Sequence, residues 1–92
     1  DPPSYGRGAN GEVWNIENNL YPLLELCVGV LSDKPLFFLI NSYTTGFAPT
    51  ILANLLNMTI KSKGEISCGE IGLPMKDSDL ILPCGIYGRW EA

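Results

Sequence analysis

"KPLFFLINSYTTGFAPTILANLLNMTIK", Lys34–Lys61, is the stretch whose reading decides the fold. Between Pro35 and Ile60 it holds no Asp, Glu, Lys, Arg or His. A membrane-crossing helix needs about 20 consecutive apolar residues, and this stretch is long enough. Its middle is polar, however: Asn41, Ser42, Tyr43, Thr44, Thr45 and Gly46 stand in a row, and Pro49 would interrupt a continuous helix. Two shorter elements fit better. "LFFLIN", Leu36–Asn41, is a continuous apolar run of the kind a strand covered on both faces carries. "PTILANLLNMTI" starts with Pro at the first helical turn and sets Ile51, Leu52, Leu55, Leu56 and Thr59 on one face. "KSKG" then reads as a cationic helix end followed by a terminating glycine. The alternative is a mainly α chain with one transmembrane helix at 35–60, flanked by Lys34, Lys61 and Lys63.

Upstream, Leu20, Leu23, Leu24, Cys27, Val28 and Leu31 recur at helical spacing, which predicts a helix from about Asn19 to Ser32. Asn18 or Asn19 would cap it, with Pro22 in its first turn. Residues 1–12 are punctuated by Pro2, Pro3, Gly6, Gly8 and Gly11 and read as an extended N-terminal arm, with Tyr5 and Arg7 as grips on a neighbour. Residues 13–92 read as one small domain. Downstream come a strand at "EISC", a turn-rich "GEIGLPMKDSD" and a final apolar run "LILPCGIYGRW". Helix and strand alternate, so the expected class is α/β with βαβ units and a small, mostly parallel sheet.

Composition bounds the function. The chain is 46% hydrophobic and 17% charged, which is apolar for so small a domain and points to a covering partner. A net charge of −4 with no basic stripe argues against nucleic acid. The sequence contains no His, so neither Ser–His–Asp nor Cys–His chemistry has its proton acceptor. Asp77 and Asp79 lie beside Lys76 in a polar turn and read as a solvated loop. "GRGANG" has neither a preceding strand nor the lysine of a phosphate-binding loop. Cys27, Cys68 and Cys84 are too sparse for a disulfide framework, and Cys68 could meet Cys84 only if their strands adjoin. No zinc set, cofactor or catalytic residue is indicated, and no enzyme is expected. The opening "DPPSYGRGANGE" does not read as a signal or transit segment. The expected location is organellar (plastid or mitochondrion) or cytoplasmic rather than secreted.

The order of elements carries a family resemblance. "NLYPLLELCVGVLSDKPLFFLINS", "TTGFAPTILANLLNMTIK", "EISCGEIG" and "LPCGIYGRW" follow one another as the corresponding segments do in Clp protease proteolytic subunits and their inactive ClpR-type paralogues, which the chain resembles from Asn19 to Trp90. The resemblance implies a ClpP/crotonase-like fragment without activity. The oxyanion-binding glycines are replaced by Tyr43, Thr44 and Thr45, the nucleophile's neighbourhood is Leu73-Pro74-Met75, and the place of the catalytic His is Trp90.

The expected function is accordingly that of a non-catalytic structural subunit of a larger hetero-oligomer. Its partner-contact candidates are Tyr5, Arg7, Phe37, Phe38, Phe47, Leu55, Leu56 and Trp90. The alternatives are a small membrane-embedded accessory subunit of a photosynthetic or respiratory complex, and a small binder of an apolar ligand.

Overall fold

The computed structural model describes residues 1–44 and 46–92. Lys34–Lys61 is divided as its polar middle dictates, into strand β3 (Phe37–Ser42) and helix α2 (Pro49–Thr59). Among the described residues no helix is long and apolar enough to cross a membrane, and the 35–60 span is corrected accordingly. Around these lie β1 (Tyr5–Arg7), β2 (Val13–Asn15), α1 (Ile16–Gly29), β4 (Glu65–Pro74) and β5 (Ile81–Glu91). The α/β class holds.

The mostly parallel sheet does not. Every strand pair among the described residues is antiparallel: β1 with β2, and a three-stranded sheet in the order β3-β5-β4. The reason is the length of the β4–β5 connection. A parallel crossover takes a dozen or more residues, whereas Met75–Leu80 is a short hairpin turn. It is closed by the Met75 N–H donating to Leu80 O at 3.0 Å and by Asp77 at φ 61°. β4 and β5 do adjoin, yet Cys68 stands opposite Gly88 while the Cys84 thiol reaches Ile71 O, so register keeps the two cysteines apart.

α1 begins three residues before the expected Asn19 because Asn15 caps it. The Asn15 side chain accepts from the Glu17 N–H at 3.1 Å, and the Asn19 side chain accepts from the Asn15 N–H at 2.9 Å. Pro22 therefore lies in the helix interior rather than its first turn. α2 has Pro49 at its start, where the missing N–H costs nothing.

Residues 4–15 form a hairpin. Tyr5 pairs with Asn15 and Arg7 with Val13. The turn between them is closed by Gly8 N–H to Glu12 O at 2.7 Å and by Gly11 at φ 84°. Its own backbone N–H, and then the Asn10 N–H that donates to the Glu12 carboxylate at 3.0 Å, hold the Glu12 carboxyl below the ordinary Glu value. A depressed folded-state pKa means that the contact is complete above the ordinary carboxylate range and is lost as pH falls through the lowered value. An NMR pH titration should show the Asn10 amide shifting with a midpoint below that of a free Glu, while β3–β5 amides stay fixed. A midpoint at or above the free value would contradict the turn geometry.

The core lies between one face of the sheet and the two helices. Ile16, Leu20 and Leu24 of α1 meet Leu52 and Leu56 of α2, and Ile40, Ile86 and Trp90 face them from the sheet. Each such side chain contributes about 1.5–3 kcal/mol on full burial. Inward rows run Phe38–Trp90–Ile66 and Ile40–Gly88–Cys68 across the three strands. The opposite face carries Phe37, Leu39 and Asn41 on β3 and Tyr87 and Arg89 on β5, and among the described residues no helix covers it.

Candidate functional site

β3 ends in a polar run, and the fold brings the start of the chain onto it. The Ser4 and Thr44 hydroxyls lie 2.6 Å apart, although forty residues separate them in sequence. The Ser42 hydroxyl donates to Thr44 Oγ1 at 3.2 Å, and the Thr44 N–H donates back to Ser42 Oγ at the same distance. Ser42 is fully buried, so its hydroxyl makes these bonds away from water. On the other face of β3, Asn41 Nδ2 donates to the Tyr43 hydroxyl at 3.2 Å.

Local backbone fixes both partners. The Ile16 N–H donates to Ser4 O at 3.1 Å and the Trp14 indole N–H to Pro3 O at 2.6 Å, which tie Pro3 and Ser4 to the hairpin and to the head of α1. Tyr43 lies over Gly85, where a Cβ would stand 2.6 Å from the ring and 2.9 Å from Ser42 O. Tyr87 likewise lies over Gly69. Two tyrosines thus lie over glycines on a neighbouring strand, with the Asn41 amide bonded to Tyr43. Such a group offers aromatic surface together with donors and acceptors that can orient a polar ligand.

Two clefts border β3. One, of about 300 Å³, runs between α1 and β3 and is lined by Asp1, Pro2, Leu23, Leu24, Cys27, Phe38, Leu39 and Ile40. The other, of about 410 Å³, lies on the uncovered sheet face over Phe37, Leu39, Ser67, Tyr87 and Arg89. A third cavity of about 540 Å³ sits at the end of α2 by Lys61, Lys63 and Trp90. There Lys61 Nζ already donates to Met58 O, and the carboxyl end of a helix disfavours an anion. Among the described residues no three His, Cys, Asp or Glu side chains gather as metal ligands.

The residues singled out as partner contacts are scattered. Tyr5 and Phe37 are exposed, at 57% and 59%, and Arg7 is exposed at the hairpin edge. Phe38, Phe47 and Leu55 pack half-buried against the core, while Leu56 and Trp90 lie inside it. Of the turn at Tyr43, Thr44 and Thr45, the last residue lies outside the described ones. From the sequence, Asn41 closes the strand and "SYTTGFA", residues 42–48, reads as a connecting turn, and Ser4 is not selected. The only available signal was the density of hydroxyl and amide groups following an apolar strand.

No protein-family model and no curated protein match the chain. Among solved structures it is similar to a SAM-dependent methyltransferase from Agrobacterium tumefaciens, with a TM-score of 0.88 and 29% sequence identity. The match covers 99% of this chain and 31% of that one, so the chain spans about a third of the methyltransferase's length. This overturns the Clp resemblance, and with it the reading as an inactive Clp-type structural subunit and the expectation that no enzyme is involved. The shared order of helix and strand misled, because it is common to many α/β folds. Along nearly its whole length, in fold and in better than a quarter of its residues, this chain is similar to part of a SAM-dependent methyltransferase.

Proposed function

We propose that the chain serves SAM-dependent methyl transfer and that the carboxyl end of β3 forms the wall against which the methyl acceptor is held. The observation that carries the reading is the 29% identity and TM-score of 0.88 over 99% of the chain.

The cofactor itself does not fit within these residues. SAM presents a ribose diol, an amino-acid end bearing both charges, and a sulfonium. The glycines at positive φ, Gly11 and Gly46, form no paired-glycine loop between a strand and a helix, and Pro49 removes an N–H from the first turn of α2. The role assigned here is confined to the acceptor side. The Tyr43 ring gives a flat apolar contact held by Gly85, and its hydroxyl and the Asn41 amide fix the orientation of a polar group. The Ser4–Thr44–Ser42 hydroxyls hold the arm against the strand end.

A chimera tests the reading. These 92 residues replace the matched third of the Agrobacterium methyltransferase, and transfer of labelled methyl from SAM to that enzyme's acceptor is measured. Activity is expected. It should fall by about tenfold or more in Tyr43→Ala, through weaker acceptor binding rather than unfolding. A folded chimera that binds SAM but transfers nothing overturns the reading.

A further inference from the structure

"GRGANG", Gly6–Gly11, is no phosphate loop, but it holds a reactive pair. Asn10 is followed by Gly11, whereas Asn15, Asn18, Asn19, Asn41, Asn54 and Asn57 all precede residues that carry a side chain. Asparagine is a thermolabile residue, because the next residue's backbone nitrogen can attack its amide. A glycine nitrogen has no side chain beside it to block that approach. Asn10 and Gly11 are both exposed in the turn of the β1–β2 hairpin, and nothing lies within 4 Å of where a Gly11 Cβ would stand. The Gly11 N–H donates to Gly8 O at 3.2 Å, the long end of the ordinary range, so the nitrogen is weakly held.

The turn is closed by groups that a change at Asn10 would disturb. The Glu12 carboxylate accepts from the Asn10 N–H at 3.0 Å and lies against Gly8, in the space a side chain there would fill. The Gly8 N–H donates to Glu12 O at 2.7 Å. The hairpin so closed presents the Trp14 indole to Pro3 O and the Ile16 N–H to Ser4 O. Ser4 in turn meets the Thr44 hydroxyl at the end of β3. One line of hydrogen bonds therefore runs from the Asn10 turn to the strand end.

We propose that Asn10 is a site of spontaneous deamidation, and that its conversion opens the β1–β2 hairpin and frees residues 1–4 from the end of β3. The Gly11 nitrogen gives up its proton and bonds to Asn10 Cγ. The Cγ–Nδ2 bond breaks, and the side-chain nitrogen leaves as ammonia. Water then opens the resulting cyclic imide at either carbonyl, yielding aspartate or isoaspartate. Both products set a second carboxylate beside that of Glu12 in the same turn, where like charges repel. Isoaspartate also adds a carbon to the main chain between Gly8 and Glu12, which spoils their closure. This chemistry stands whether or not the chain serves methyl transfer.

The test incubates the full 92-residue chain at mildly alkaline pH and maps its peptides by mass spectrometry, with isoaspartate scored separately. Asn10 should convert before every other asparagine, to a mixture of aspartate and isoaspartate. The converted chain carries an added negative charge and is separated by anion exchange. In it, hydrogen exchange at the Trp14 indole N–H and the Ile16 amide should speed up by about tenfold or more, while β3–β5 amides keep their protection. Asn10→Gln retains an amide but closes the imide ring far more slowly. It should stay unconverted and keep both slow protons through the same incubation. Conversion of Asn41 or Asn57 as fast as Asn10 overturns the site. A converted chain whose Trp14 and Ile16 protons exchange as before overturns the release of the arm.

Discussion

Trp90→Ala should cost the chain about 3–5 kcal/mol, the usual loss when a large aromatic is cut from a packed core. Trp90 is 2% exposed in the central strand, with Phe38 and Ile66 directly beside it on β3 and β4. The indole also touches the chain entering β4, since a Cβ on Gly64 would lie 2.5 Å from its Nε1. Removing it leaves a cavity that three separate strands would have to close. A domain of this size has about 5–15 kcal/mol in all, so the variant should be partly unfolded without denaturant. Urea titration followed by circular dichroism measures the effect. A loss under about 1 kcal/mol would mean that the indole is not the keystone of the sheet–helix contact.

Gly88→Ala should destabilise by about 1–3 kcal/mol although it adds only a methyl group. Gly88 is buried on β5 under α2, and a Cβ there would stand 2.8 Å from Leu52 Cβ and 3.3 Å from the Leu52 carbonyl carbon. Those atoms belong to or adjoin the helix backbone and cannot rotate away, so α2 must lift from the sheet. Gly29→Ala is the control. Nothing lies within 4 Å of its Cβ position, and Ala in place of Gly within a helix should be neutral or stabilise by about 0.5–1 kcal/mol. Equal losses in the two variants would show that the helix does not sit as closely on Gly88 as described.

The sequence made some of this fold legible and concealed the rest for physical reasons. The break between β3 and α2 is local: a polar run and a proline exclude one continuous element whatever the surroundings. The α2 face is equally local, and Leu52, Leu56 and Thr59 are its buried residues. Strand direction is not local. "EISCGEIG" and "ILPCGIYGRW" could each stand in a parallel or an antiparallel sheet, and only the six-residue turn between them decides. That turn was read as a loop instead of a hairpin. The hairpin at residues 4–15 was hidden by its glycines, which look like disorder until Val13 and Trp14 supply a partner strand. The candidate site was least legible of all. Its defining contact joins Ser4 to Thr44, and no spacing rule relates residues so far apart.

The strand order has a consequence for how the molecule assembles. β5 comes after both of its neighbours in sequence yet lies between them. Phe37 must wait for Glu91, and Glu65 for the same residue, so β3 and β4 have no hydrogen-bonded partner in the sheet until β5 arrives. Closing so long a loop first makes for slow, non-local folding. During that wait β3 is bare on both sides, an uncharged apolar ribbon open to any other chain at the same stage. Yield on refolding should therefore fall steeply with protein concentration, and helpers that hold extended apolar segments should restore it.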